Sequence, residues 1–387
     1  MTTDVKNIES LSTGRVNLAA GLKIQGDDIS ASVNLYETYT GSAVPSSPKN
    51  GAFWFNGTAL HTYIDSTWRV LETSFAFWYG SRGLTSGGYR NGSETNEIAY
   101  ITIATTGNST DFGNLIGNTT GITAFGSSTR TIFANGQENG SYSNRLSFVV
   151  PSTTGNAVDT NANLIAAVEQ RGSASNGVRG IIAGGIGSSR INTLESFEIA
   201  TSANAISFGT VMNPLPSGQG SSSISNLRGW GNGVRAFFAG GSNGSSNNLL
   251  VSRTTVQFDT PGNSTLAGSM STANGRDQMV AAGSRTRMVM QGGRSNGASS
   301  ATVNYPVIDF FEMNSTATAT SFGTMNVGRY QHANVSNATR ICSMGGRNAS
   351  GTLLNSIEYI TIATPGNGTD FGDLSAGIST FAGASGA

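Results

Sequence analysis

The chain has 387 residues, 52 of them glycine, and only 11% are charged. Its 22 basic and 22 acidic residues cancel and form no Lys/Arg cluster, so the electrostatic footprint of a nucleic-acid binder is missing. A single cysteine excludes a disulfide framework, no apolar stretch reaches membrane length, and Met1 to Lys6 lack the apolar core of a signal peptide.

In chain order, residues 1–73 come first and lie outside the pattern that follows. Arg15 to Ile29 alternates apolar and polar residues around Gly26-Asp27-Asp28, which predicts short strands. Pro45 to Val70 reads as a small meander, with Asn56-Gly57 at its first turn and Trp54 and Trp68 as its core. A segment this small buries too little to be very stable alone. It is expected to dock on the rest of the chain, on its own copies, or on a larger assembly.

From residue 74 onward, arginine recurs at 82, 130, 179, 235, 287 and 340, with spacings of 48, 49, 56, 52 and 53 residues. Each precedes by five residues a glycine pair or its remnant: Gly87-Gly88, Asn135-Gly136, Gly184-Gly185, Gly240-Gly241, Gly292-Gly293 and Gly345-Gly346. A period near 50 residues is a repeat architecture. Runs such as Ile181-Ile182-Ala183 and Phe237-Phe238-Ala239 are short, apolar and bounded by turn residues, which predicts buried strands. Repeats one and six share a long pattern: an apolar run (Ile98 to Ala104, Ile357 to Ala363), a Gly-Asn turn, and Asp111-Phe112-Gly113 or Asp370-Phe371-Gly372. About four strands fit each period, and a four-stranded sheet repeated at this interval predicts a six-bladed β-propeller over 74–387. After Gly372, Gly377 to Gly383 resembles the segment before Arg130, so the chain ends inside a leading strand. Pairing of that strand with the Arg82 strand would close the ring and remove two open edges. Ser74 to Trp78 is the alternative occupant of the same edge.

These residues carry a resemblance. Arginine, an apolar strand ending in Gly-Gly, a polar loop and a Tyr/Phe strand look like the kelch class of propeller repeat. Tyr100 to Gly113 and its copy Tyr359 to Gly372 resemble repeats in virion proteins of tailed bacteriophages, notably those infecting cyanobacteria. Pro45-Ser46-Ser47-Pro48 followed by Gly51 to Gly57 resembles small modules of phage tail-fibre and collar proteins. The kelch tryptophan after the Tyr strand is missing and the central repeats are eroded. The resemblance implies a tail fibre or a tail or neck appendage, made in the host cytoplasm and located in the virion. It would be anchored to other tail, neck or baseplate proteins through residues 1–73, and assembled as a homo-oligomer with a trimer favoured.

Little in the chain predicts chemistry. Two histidines, His61 and His332, in different segments rule out a His-rich metal site, and Asp-Phe-Gly without kinase partner motifs reads as a turn. No catalytic residue, metal or cofactor is expected, and Cys342 reads as a small buried hydrophobe. The six arginines read as a repeated contact between blades, with an anion-binding ring in the channel as the second reading. The loops after the glycine pairs are the binding candidates: Tyr89, Arg90, Asn91, Tyr142, Asn144, Arg190, Asn243, Arg294, Asn296, Arg347 and Asn348. In a propeller such loops gather on one face, where Tyr, Arg and Asn suit a host-surface glycan or protein. The same residue types also serve turns. A structural virion protein is the expected function, with host recognition by the loop face as its extension. The alternatives are a scaffold or decoration protein, a polysaccharide-cleaving appendage enzyme, and a cellular kelch adaptor.

Overall fold

The computed structural model describes residues 23–24, 27–28, 38–40, 42–55, 60–64, 66–71, 80–212, 223–243, 249–271, 275–296, 302–304 and 306–386. All regular structure among them is β. The chain divides into two compact units, Met1–Ala76 and Phe77–Ala387.

In the first unit, Phe53–Phe55, Leu60–Ile64 and Thr67–Leu71 form an antiparallel meander. A strand that the sequence pattern does not reveal, Thr38–Thr40, pairs parallel with Phe53–Phe55. Trp54 and Trp68 lie 5.6 Å apart, with the His61 ring stacked on Trp54 at 4.6 Å. Lys23–Ile24 pairs with Asp27–Asp28, so the two aspartates sit in a strand rather than in the turn. The expected turn at Asn56-Gly57 and the alternative closing strand Ser74 to Trp78 lie outside the described residues.

In the second unit every repeat contributes four antiparallel strands paired in order. Repeat six is representative: Ala333–Ser336, Arg340–Met344, Ser356–Thr361 and Thr369–Asp373. The second strand is buried on both faces because its side chains alternate between two neighbouring sheets. In repeat one the first strand comes from the other end of the chain: Ala382–Gly386 pairs with Arg82–Ser86. Repeats one and two do not remain separate sheets. Their strands Thr110–Thr120 and Thr131–Glu138 are long enough to pair at Thr119–Glu138 and Thr120–Gln137, giving one nine-stranded sheet. This all-β arrangement is compatible with a β-propeller.

The core lies between the repeats. Each of six apolar clusters joins one repeat to the next, and one joins Ile101 and Ile103 of repeat one to Val335, Met344 and Phe371 of repeat six. Full burial of side chains this size contributes roughly 1.5–3 kcal/mol each.

Two polar devices repeat along these seams. The first is the arginine series. Arg82, Arg130, Arg287 and Arg340 stack 4.3–4.6 Å over Tyr100, Phe148, Phe310 and Tyr359 of their own repeats. Each then donates to a backbone carbonyl of the following repeat, at Pro151, Ile199, Ile362 and Ala104. Arg179 reaches the Phe258 carbonyl in the same way. Repeat four departs: Thr255 stands at the aromatic position, as Ser196 does in repeat three, and Arg235 is exposed. There Arg253, between the Phe237 and Phe311 rings, donates to the Ser315 carbonyl instead. Removing a stacked, carbonyl-bonded arginine costs both terms. Arg340→Ala is therefore expected to lower unfolding stability by about 2 kcal/mol, whereas Arg235→Ala stays within about 0.5 kcal/mol. Urea titration of the two variants checks the contrast.

The second device explains the Gly-Asn turn. The Asn108, Asn156, Asn204, Asn263 and Asn367 side-chain oxygens each accept from a backbone N–H of the fourth strand in the preceding repeat, at 2.9–3.0 Å. The Phe-Gly landmark is the receiving side. A β-bulge sits there, and its backbone approaches the turn glycine of the next repeat.

Candidate functional site

A third ring encircles one end of the first strands. Nine residues before each arginine stand Gly121, Gln170, Asn226, Gln278 and Gln331, with Thr380 in the corresponding place of the closing strand. All six have positive φ, between 53° and 65°. Left-handed backbone in Gln and Thr costs free energy and persists only where surroundings enforce it. Here the enforcing contact is neighbour to neighbour. The N–H of Gly121 donates to Thr380, Gln170 to Gly121, Asn226 to Gln170, Gln331 to Gln278, and Thr380 to Gln331, at 2.8–3.0 Å.

Described residues of the loops after three glycine pairs reach residues next to this ring. Arg190 Nε donates to Ser225 Oγ at 3.0 Å, and Arg347 Nε donates to Ser379 Oγ at 3.2 Å. Arg294 pairs with Asp277 at 3.3 Å and lies 5.5 Å from the centre of the Tyr330 ring. Arg347 is 6.0 Å from the Tyr89 ring centre. Gln137 donates to Glu169 at 3.4 Å. Arg190, Arg347 and Gln137 each reach from one repeat to the next. Tyr89, Arg190, Arg294 and Arg347 thus converge with Glu169, Asp277 and Tyr330 at one mouth.

The remaining candidates divide by contact. Arg90 is held by Glu97 at 2.7 Å, Asn144 donates to the Leu164 carbonyl, and Asn348 accepts from Ser350 and Thr352 within its own loop. Asn243 is buried. Asn91 and Tyr142 are exposed at hairpin tips, and Asn296 pairs through its backbone with Thr302. Sequence reasoning missed Glu169, Asp277, Tyr330 and the glutamines. The available signal was Gln or Asn at a fixed nine-residue lead over the arginine.

Burial dominates the electrostatics here. It raises the Asp277 carboxyl above the usual range despite Arg294, and raises Glu169 to about 6, with Glu94 adding to the rise and the Gln137 hydrogen bond opposing it. A carboxyl raised in the fold favours its protonated form. Ionisation of Glu169 therefore costs nothing below the ordinary value of 4.5 and is fully felt above about 6. The cost above that window is about 2 kcal/mol. Glu169→Gln is expected to raise the urea midpoint at pH 8 and to match the wild type at pH 4.

A cavity runs along the first strands of all six repeats. None of the six periodic arginines lines it, so a channel ring made of them does not form; Arg82, Arg130, Arg179, Arg287 and Arg340 bond across the seams instead. Arg171 and Arg228 are the arginines in its wall. Among the described residues no group of three or more His, Cys, Asp or Glu is placed to hold a metal. Cys342 is buried, which pushes its thiol up to about 12.

No protein-family model matches this chain, and no curated protein matches it either.

Proposed function

We propose that the chain is a structural protein of a tailed-bacteriophage virion. In this reading its repeats are the six blades of a kelch-like propeller, and the loop face serves host-surface recognition. The observation that carries it is the mouth where Tyr89, Arg190, Arg294, Arg347 and Tyr330 gather from several repeats. Sites assembled from loops on a rigid scaffold suit recognition, and Arg/Tyr surfaces suit glycans and proteins. The six inter-repeat clusters, with one joining repeats six and one, support the blade count. The N-terminal unit is the natural attachment segment to other virion proteins, and a trimer suits a fibre.

A second reading is favoured by the pairing of the mouth arginines with Ser225, Asp277 and Ser379. Side chains already engaged suit a scaffold that contacts only other virion subunits.

Two measurements test these readings. Antibody to the chain should label an appendage on particles purified from infected cyanobacterial cells; absence of the protein from particles would sink the virion assignment. The full chain should bind host envelope, and the Arg294→Ala/Arg347→Ala double variant should bind at least about tenfold more weakly. Equal binding by both, or none by either, favours the scaffold. Release of reducing sugar from envelope would point to an enzyme instead.

A further inference from the structure

Three polar devices recur at the seams between repeats, and each is found five times among the described residues. The arginine-to-carbonyl bonds of Arg82, Arg130, Arg179, Arg287 and Arg340 cross every seam except the one between repeats four and five. The turn asparagines miss the same seam, because Thr318 stands in repeat five where repeat six has Asn367. The left-handed ring breaks there too: Gln331 donates to Gln278, but Gln278 makes no such bond to Asn226. The arginines and asparagines lie at one end of the sheets and the left-handed residues at the other. One local irregularity therefore does not account for the shared gap.

What remains at this seam among the described residues is sparser. Two backbone bonds cross it, Gly241 to the Arg276 carbonyl at 2.9 Å and Ala319 to the Ser269 carbonyl at 2.7 Å. Arg253 reaches Ser315, Ser271 reaches Asp309, and Trp230 Nε1 donates to the Ser284 carbonyl at 3.1 Å. The apolar filling differs in kind as well. Met270, Met279, Met288, Met290 and Met313 sit in this seam, whereas the clusters of the other seams hold only Met325 and Met344. Methionine is unbranched and turns about three side-chain bonds, so it fills a gap without fixing the geometry of its walls. The approach at the bulge is also looser. A Cβ on Gly268 would lie 2.8 Å from the Ala317 oxygen, against 2.1–2.4 Å for the equivalent contacts of Gly113, Gly209, Gly323 and Gly372. Three seams away in either direction, repeats one and two carry extra ties: the Thr119–Glu138 and Thr120–Gln137 pairing, and the Gly140 N–H on Glu94.

We propose that the seam between repeats four and five is a gate, the place where the closed circle of repeats parts, while the seam between repeats one and two stays shut. Opening separates Gly241 from Arg276 and Ala319 from Ser269, and it uncovers the methionines. Partial openings begin where directional bonding is sparse, and a methionine-filled wall re-forms readily because many rotamers refit it. The gate goes beyond the virion reading and does not depend on it.

Hydrogen exchange of the full chain, read residue by residue by fragmentation in the mass spectrometer and corrected for intrinsic rates, tests the gate at both ends of the seam. Gly241 should exchange at least about tenfold faster than Gly185, Gly293 and Gly346, whose N–H groups cross other seams in the same way. Ala319 should exceed Ser264 and Gly368 by a similar factor. Dilute hydrogen peroxide gives an independent reading, because it passes one oxygen to a thioether sulfur, leaving water, only where it can reach the sulfur. Met279 and Met290 should be oxidised faster than Met344, although all three are at most 1% exposed. The proposal is overturned if only one of the two amides, or neither, exchanges faster than its equivalents, or if Met279 and Met290 are oxidised no faster than Met344.

Discussion

Asp309→Ala is expected to lower unfolding stability by about 3–5 kcal/mol, a large part of what a domain of this kind possesses. Asp309 and Arg276 are both fully buried and form an ion pair inside repeat five. Arg276 also donates to the Gly292 carbonyl at 3.0 Å, so its guanidinium cannot swing out to water when its partner is lost. The alanine variant strands a cation in the interior. Repeats three and six carry the same device as Arg171–Glu195 and Arg329–Glu358, at 2.7 and 3.2 Å. Burial pushes Glu358 up and Arg171 and Arg329 down, which marks these pairs as costly to maintain and costlier to break. Repeat four has Thr254 and repeat one Ala99 in register with these acids, so the fold does not need the pair as such. Replacing Arg276 and Asp309 together by Met and Leu is therefore expected to recover most of the loss. Urea titrations of the single and double variants measure the difference.

Gly372→Val is the second large effect. Gly372 sits at φ 149°, a region that side chains rarely adopt, and a Cβ there would lie 2.4 Å from the Gly107 carbonyl oxygen. That oxygen belongs to the turn whose N–H donates to the Phe371 carbonyl at 2.8 Å, so relief of the clash must open the seam between repeats six and one. Strain and lost contact together predict a loss of more than about 3 kcal/mol. Gly366, six residues earlier in the chain, supplies the control. No atom lies within 4 Å of its Cβ position, and Gly366→Ala is expected to stay within about 0.5 kcal/mol. Thermal unfolding of the two variants separates position from residue type.

Strand order and the partner of the Arg82 strand were legible in the sequence, because both rest on apolar runs that recur on schedule. Five of the arginines were legible as seam contacts for the same reason, but the exception at Arg235 was not: Ser196 in repeat three replaces the aromatic as Thr255 does in repeat four, yet Arg179 still reaches across. The candidate site was less so. Loop composition marks where side chains leave the sheets, but it does not distinguish Arg294, which faces a tyrosine of the next repeat, from Asn348, which ties its own turn. The left-handed ring was hidden because Gln, Asn and Thr in that conformation contradict local preference and are enforced from neighbouring repeats. The pairing of repeats one and two depends on strand length beyond the sheet, which periodicity alone does not define.

The account turns on contact between the first and last repeats. Asn108 and Asp373, 265 residues apart in sequence, are joined by a 2.9 Å hydrogen bond and are both exposed. Cysteines introduced at these two positions and oxidised in dilute solution should cross-link within a single chain, since disulfides need Cα atoms within about 7 Å. Quantitative intrachain cross-linking, read by mass spectrometry, is the predicted result. Free thiols, or only interchain dimers, would contradict it.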